Sequence, residues 1–288
     1  MPVGTFLRSG LTVWEQESPN DREGRKSTSI AMPAKHFMPT DCAPRPTLAK
    51  TLAGCMAVLL VFFVTQLLTT TWLAGWLLPM LRGADWRAQL ATGAQSGTVI
   101  AASVIMTLPI LAAVLAGLCR LRGEKIANSL ALAIPPSRHV FDWRWWLGFG
   151  ALLLALNVVL ECLGRWLQRE PMAFMDDLAA SAQPFWWLVV AMVIAAPIYE
   201  ELVFRGFMWT ALAQSQCQGR RVGAWGASII TSVIFALIHV QYGAVEMLGI
   251  VALGMLFAAA RAKTGALYLP IFLHITNNGL AMAQYIWG

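Results

Sequence analysis

Charge is what this sequence has least of. Only 12% of its residues are Asp, Glu, Lys or Arg, while 58% are hydrophobic. A soluble domain carries about 25% charged residues, so a water-soluble enzyme or scaffold is excluded. The net charge of +6 is then no nucleic-acid signal, because most Lys and Arg fall between apolar runs, where they set membrane orientation. Cysteine is sparse too. Cys42, Cys55, Cys119, Cys162 and Cys217 are scattered without a C-x-x-C pair, which suggests neither a disulfide framework nor a thiolate metal site. No apolar run starts near Met1, so no cleavable signal peptide is expected and the first span should act as an uncleaved anchor. An inverted repeat of the transporter kind is also missing.

What the chain has is a succession of long apolar runs. Seven segments approach the ~20 residues that a helix needs to cross the hydrocarbon core: 52–78, 98–118, 145–163, 185–213, 222–242, 244–260 and 266–287. The expected fold is all-α, a polytopic transmembrane bundle of about seven spans, eight at most, around a buried polar cavity. Residues 1–46 are polar with mixed charge and read as a disordered cytoplasmic tail. Residues 47–184 hold the first three spans, and 185–288 form the core that carries the chemistry. Basic residues are dense in the tail, in the third connection (Arg120, Arg122, Lys125, Arg138, Arg144), at Arg220 and Arg221, and at Arg261 and Lys263, and sparse between. This alternation predicts a cytoplasmic N-terminus and an external C-terminus, in a bacterial inner membrane. The connections are too short for a soluble catalytic domain, so any chemistry must sit among the helices.

Polar residues inside the spans are therefore informative. The stretch "YEELVFRGF" puts Glu200, Glu201 and Arg205 in one apolar segment, and each charge at a helix centre costs about 2.5–3.5 kcal/mol on insertion scales. Glu201 and Arg205 are spaced i, i+4 and can pair. Glu200 points about 100° away around the helix and needs a wet cavity or another helix's polar group. That asymmetry suggests Glu201–Arg205 as a brace and Glu200 as the reactive group. The bland alternative is an ion pair that only fixes packing. Of four histidines, His36 and His139 read as bystanders, while His239 and His274 fall inside spans. His274 and Asn278 share one helical face; Asn277 lies on the neighbouring face and is a weaker candidate. Pro197 and Pro270 precede these polar groups and are expected to kink their helices. One tension is visible: the boundaries above put His239 and His274 at depths that differ by roughly 10 Å.

Three patterns, Glu200-Glu201-x-x-x-Arg205, Phe235-x-x-x-His239 and His274-x-x-x-Asn278, together resemble the CAAX protease and bacteriocin-processing (Abi) family of intramembrane proteases. The resemblance covers about 185–287. The zinc helix H-E-x-x-H, the aspartyl G-x-G-D and the serine G-x-S-G signatures are absent. The resemblance and the residue chemistry imply an endopeptidase. Glu200 would take a proton from water, His239 would hold that water, and Asn278 with His274 would donate to the developing oxyanion. Glu201 and Arg205 would fix the helix. No cofactor is firmly implied, but Glu200, His239 and His274 could instead ligate Zn²⁺ with a position left for water. The expected partners are membrane lipids and a protein or peptide substrate, with a lipidated or C-terminal sorting segment as a family-level option, and no nucleic acid. A proton-coupled carrier and a non-enzymatic peptide-binding or immunity protein are the alternatives from other classes.

Overall fold

The computed structural model describes residues 46–133, 138–168 and 174–287, all within one compact unit, Pro44–Gly288. The expected tail, apart from Pro46, lies outside the described residues, as do His36, Cys42 and the side chain of His139.

Helices begin where the sequence offers caps. Thr47, Asp85, Ser96 and Asp142 accept from backbone N–H groups at the starts of α1 (Leu48–Leu77), α2 (Trp86–Gly93), α3 (Gly97–Leu121) and, after the single turn α4 (Ile126–Ser129), α5 (Trp143–Trp166). Each such bond satisfies an N–H that the helix itself cannot. Next come α6 (Phe174–Ser181) and the long α7 (Phe185–Gln214). A minimal hairpin, β1 (Gln216–Cys217) and β2 (Arg220–Arg221), then leads to α8 (Gly223–Leu237), α9 (Ala244–Thr264) and α10 (Tyr268–Trp287). Helix α9 stops at Gly265, whose φ of 73° closes the helix in the left-handed region that glycine adopts freely.

The fold is all-α and multi-spanning, but the count differs from the expected seven. Among the described residues five helices are long and apolar enough to cross a membrane: α1, α3, α5, α7 and α9. The segment expected over 222–242 stops at Leu237 after 15 residues, about 22 Å of helix against a hydrocarbon core of about 30 Å. The final segment is 20 residues long, but His274, Asn277, Asn278 and Gln284 interrupt its apolar run. Pro270 lies in the first turn of α10, where a missing N–H removes no helical bond, so the expected kink does not arise there.

Helix α7 is the axis of the bundle. Phe204, Met208 and Leu212 along it are fully buried. Helices α1 and α3 pack together on one side of it, and α8, α9 and α10 on the other. Helix α5 sits at the periphery against α9 and α10, where Leu147, Leu152, Leu154, Val158 and Val159 stay exposed. In water those side chains would be a liability; in a bilayer they are the lipid-facing surface.

Candidate active site

The site forms where α7 is least regular. Ala196 N–H reaches back to Ala191 O, and Trp209 N–H to Phe204 O, so two π-helical stretches, Ala191–Ala195 and Leu202–Met208, flank the short α-helical piece Ala196–Glu201. Pro197 gives no N–H to the turn before it, and the widened turn lies there. Such bulges are frequent at functional sites. Here they bracket both glutamates.

Glu201 and Arg205 are fully buried and joined by Arg205 Nη1 donating to Glu201 Oε1 at 2.9 Å. Arg205 Nη2 donates to the carbonyl of Gly254 on α9 at 3.1 Å, and the guanidinium lies over the rings of Phe235 (4.6 Å) and Phe257 (5.4 Å). Gly254 permits this approach. A Cβ there would stand 2.9 Å from Ser232 Cβ and 3.2 Å from Arg205 Nη2. The buried charge is thus matched by a carboxylate, a carbonyl and aromatic faces, while Arg205 Nε and Glu201 Oε2 are buried without a hydrogen bond among the described residues.

Glu200 differs from its neighbour. Its side chain keeps 14% exposure, and its nearest charged partner is His274 Nε2 at 3.6 Å, beyond hydrogen-bond length. The other nitrogen of His274, Nδ1, donates to Glu201 Oε1 at 2.9 Å. The imidazole thus bridges the two glutamates, tied to the braced one and facing the free one. Phe257 stacks on it at 4.9 Å and Phe235 meets it edge-on at 5.7 Å.

His239 lies just past the end of α8. Its Nδ1 donates to Phe235 O at 2.6 Å, which leaves Nε2 as the acceptor of a neutral ring. The Phe235 ring touches His239 at 4.7 Å as well as His274. Both histidines therefore face one aromatic ring, and α8 allows this by ending early and releasing His239 into a turn. Tyr242 in that turn lies 6.2 Å from the His239 ring, centroid to centroid.

Asn278 is reached from the other side. One of its amide hydrogens goes to Met192 O at 2.9 Å, in the first π-helical stretch. Its oxygen accepts from Asn277 at 3.3 Å, and Asn277 in turn accepts from Asn157 of α5 at 3.1 Å. Residue reasoning ranked Asn277 as weaker and missed Asn157, Gly254 and Phe257 altogether. A lone amide in the apolar run of α5 was the available signal for Asn157. Gly254 and Phe257 leave no such mark.

A zinc site was tested against this geometry. Among the described residues no three His, Cys, Asp or Glu side chains converge closely enough to hold a metal ion. His274 Nδ1 donates to Glu201 and His239 Nδ1 to Phe235 O, which leaves each ring its Nε2 for a metal but brings no third ligand close enough. The residues as arranged do not fit a three-ligand zinc site.

With the geometry in hand, comparison with known proteins is direct. Residues 182–280 match the family described as type II CAAX prenyl endopeptidase Rce1-like. This part of the chain is homologous to that family. The match takes in Glu200, Glu201, Arg205, His239, His274 and Asn278, and leaves α1–α6 outside. An uncharacterized 24.3 kDa protein of Escherichia coli is 29% identical over 140 residues, 48% of this chain. The chain spans under two thirds of that relative's length, 62%. The membrane-embedded CAAX protease MroQ of Staphylococcus aureus (strain USA300) is 25% identical over 193 residues, 65% of this chain and 76% of MroQ. No solved structure matches the chain.

Proposed function

We propose that this chain is an intramembrane endopeptidase that hydrolyses a peptide bond near the membrane with a water activated by Glu200. One observation carries the reading. Of two adjacent glutamates on one helix, Glu201 is fully buried with Oε1 held by both Arg205 and His274, and Glu200 is part-exposed with no hydrogen bond among the described residues. A carboxylate without a hydrogen bond inside a bundle is expensive unless it has work to do. Glu200 takes the proton of the attacking water. His239 holds that water through its free Nε2. The second amide hydrogen of Asn278, the one not given to Met192 O, donates to the carbonyl oxygen as it becomes negative, with the imidazole of His274 beside it. Glu201 and Arg205 set the rotation of α7 and, through His274 Nδ1, the orientation of the imidazole. The proton on Glu200 then passes to the leaving amine.

The turn after α8 supports a wet site. Its irregular backbone begins about 22 Å from the start of the helix, and such backbone is tolerated at depth only where it is buried in protein or lines a water-filled cavity. The substrate we propose is a protein or peptide segment entering from the membrane, of the CAAX or bacterial maturation and sorting type. That class follows from the homology of α7–α10 and the name that MroQ bears. The N-terminus is proposed to be cytoplasmic and the C-terminus external.

The test uses the intact chain in its membrane. Glu200→Gln keeps size and hydrogen-bonding capacity but cannot take a proton. Comparing C-terminal peptides of cells that carry either form should show fragments with the native chain and none above background with Glu200→Gln, at equal membrane level. Equal fragment yield from both forms would remove Glu200 from the chemistry.

A further inference from the structure

A second polar cleft lies away from Glu200 and shares no residue with that site. It has a volume of about 480 Å³ and sits where the end of α7, the β1–β2 hairpin, the start of α8 and the end of α9 come together. Two guanidinium groups line it, Arg221 and Arg261, and among the described residues no carboxylate does. Arg221 is exposed, but Arg261 is buried to 8% exposure. Its Nε has no partner, and Nη2 has only a long contact, 3.5 Å, with Thr210 Oγ1. The indole of Trp209 covers its guanidinium at 4.8 Å.

The contrast with Arg205 is informative. Both have a buried Nε without a hydrogen bond among the described residues, but Arg205 has a carboxylate, a carbonyl and three aromatic faces, and Arg261 has one aromatic face and a distant hydroxyl. A buried cation without a counter-charge is strongly unfavourable, so the site calls for an anion from outside the described chain. The backbone around it agrees. Gly223 and Ala224, at the start of the 15-residue α8, line the same cleft, and no side chain caps that helix. Its first N–H groups and the positive end of its dipole suit an anion. Asn128 and Gln214 add neutral hydrogen-bonding groups, and Trp209 gives an apolar wall. The volume falls within the range of small-molecule sites.

We propose that this cleft binds a phosphate group, held by Arg261, Arg221 and the N-terminal turn of α8. The phosphate comes either from a free phosphate-type anion or from the headgroup of an anionic lipid at the bilayer surface.

The experiment uses the full chain purified in neutral detergent and follows its thermal unfolding midpoint. Ligands are inorganic phosphate against chloride of equal ionic strength, and bicelles containing phosphatidylglycerol against phosphatidylcholine alone. A saturable rise with inorganic phosphate supports a free anion. A saturable rise with phosphatidylglycerol but not with inorganic phosphate supports a lipid headgroup. In either case Arg221→Gln, at an exposed position that folding does not need, should shift the half-saturating concentration at least roughly tenfold upward, the effect of one lost charge-assisted hydrogen bond. Arg261→Met, which keeps the aliphatic stem against Trp209, should fold at least as stably without ligand and lose the response. No saturable rise with any ligand overturns the proposal, as does an equal response of the native chain and Arg221→Gln.

Discussion

At the scale of single residues, the two adjacent glutamates separate by their surroundings. Glu201 is fully buried and meets both Arg205 and His274. Arg205→Ala would strip it of its counter-charge and remove the tie to the Gly254 carbonyl on α9. Removing one partner of a buried pair costs about 3–5 kcal/mol. Arg205→Ala should therefore lower the unfolding midpoint of the purified protein markedly, and a midpoint unchanged from the native chain would refute the bracing role. Asn278 makes a different case. If its second amide hydrogen stabilises an oxyanion, Asn278→Ala should slow kcat by roughly 10²–10³-fold with KM little changed, as steady-state cleavage of a reporter substrate would show. A loss carried entirely in KM would assign Asn278 to substrate binding instead. Much of this local chemistry is legible from spacing alone, because Glu201–Arg205 and His274–Asn278 lie on shared helical faces. What spacing does not reveal is where the remaining bonds go. His274 Nδ1 turns to Glu201, 73 residues earlier in the chain, and nothing local records that choice.

At the scale of elements, the site depends on the way helices stop, bulge and meet. Helix α7 was readable as one long segment; its two π-helical stretches were not, since a widened turn leaves no mark in composition beyond Pro197. The end of α8 was misread for a related reason. The apolar residues after Leu237 continue the hydropathy of the run, but the backbone has already turned at His239. Helix α5 contributes through Asn157, which lies outside the stretch homologous to the CAAX endopeptidases. Its amide begins a chain through Asn277 to Asn278 and the Met192 carbonyl. Cutting that chain with Asn157→Leu leaves the Asn277 oxygen without its donor and frees the amide of Asn277, which holds the Asn278 oxygen, to rotate. Misplacement of a catalytic donor is expected to lower kcat by roughly ten- to a hundredfold, while the membrane level of the protein stays near normal because α5 is peripheral. Turnover measured for Asn157→Leu beside the native chain checks this. An unchanged kcat would reduce the amide chain to a packing feature.

At the scale of the whole molecule, the remaining question is how the chain threads the bilayer. Among the described residues five helices are long and apolar enough to cross it. The other two of comparable standing, α8 and α10, are respectively too short and too polar to qualify by those measures. Both lie against long helices, α8 along α9 and α10 against α7 and α9. Polar residues on α10 are paid no penalty when they face protein rather than lipid, and His274 there is buried at 4% exposure. The end of α7 and the end of α9 meet at one cleft, so α8 carries the chain back between them, and with α10 the number of passages we propose is seven. On that proposal the two chain ends lie on opposite sides. Orientation then follows from the basic residues, which crowd the first 50 positions and are absent after Lys263. A reporter enzyme active only outside the cytoplasm should be inactive when fused before Met1 and active when fused after Gly288. Activity at both ends, or at neither, would mean an even number of passages. One of α8 and α10 would then cross without the other, and the contacts that bring His239 to the Phe235 ring and His274 to Glu201 would need a different arrangement of the helices that carry them.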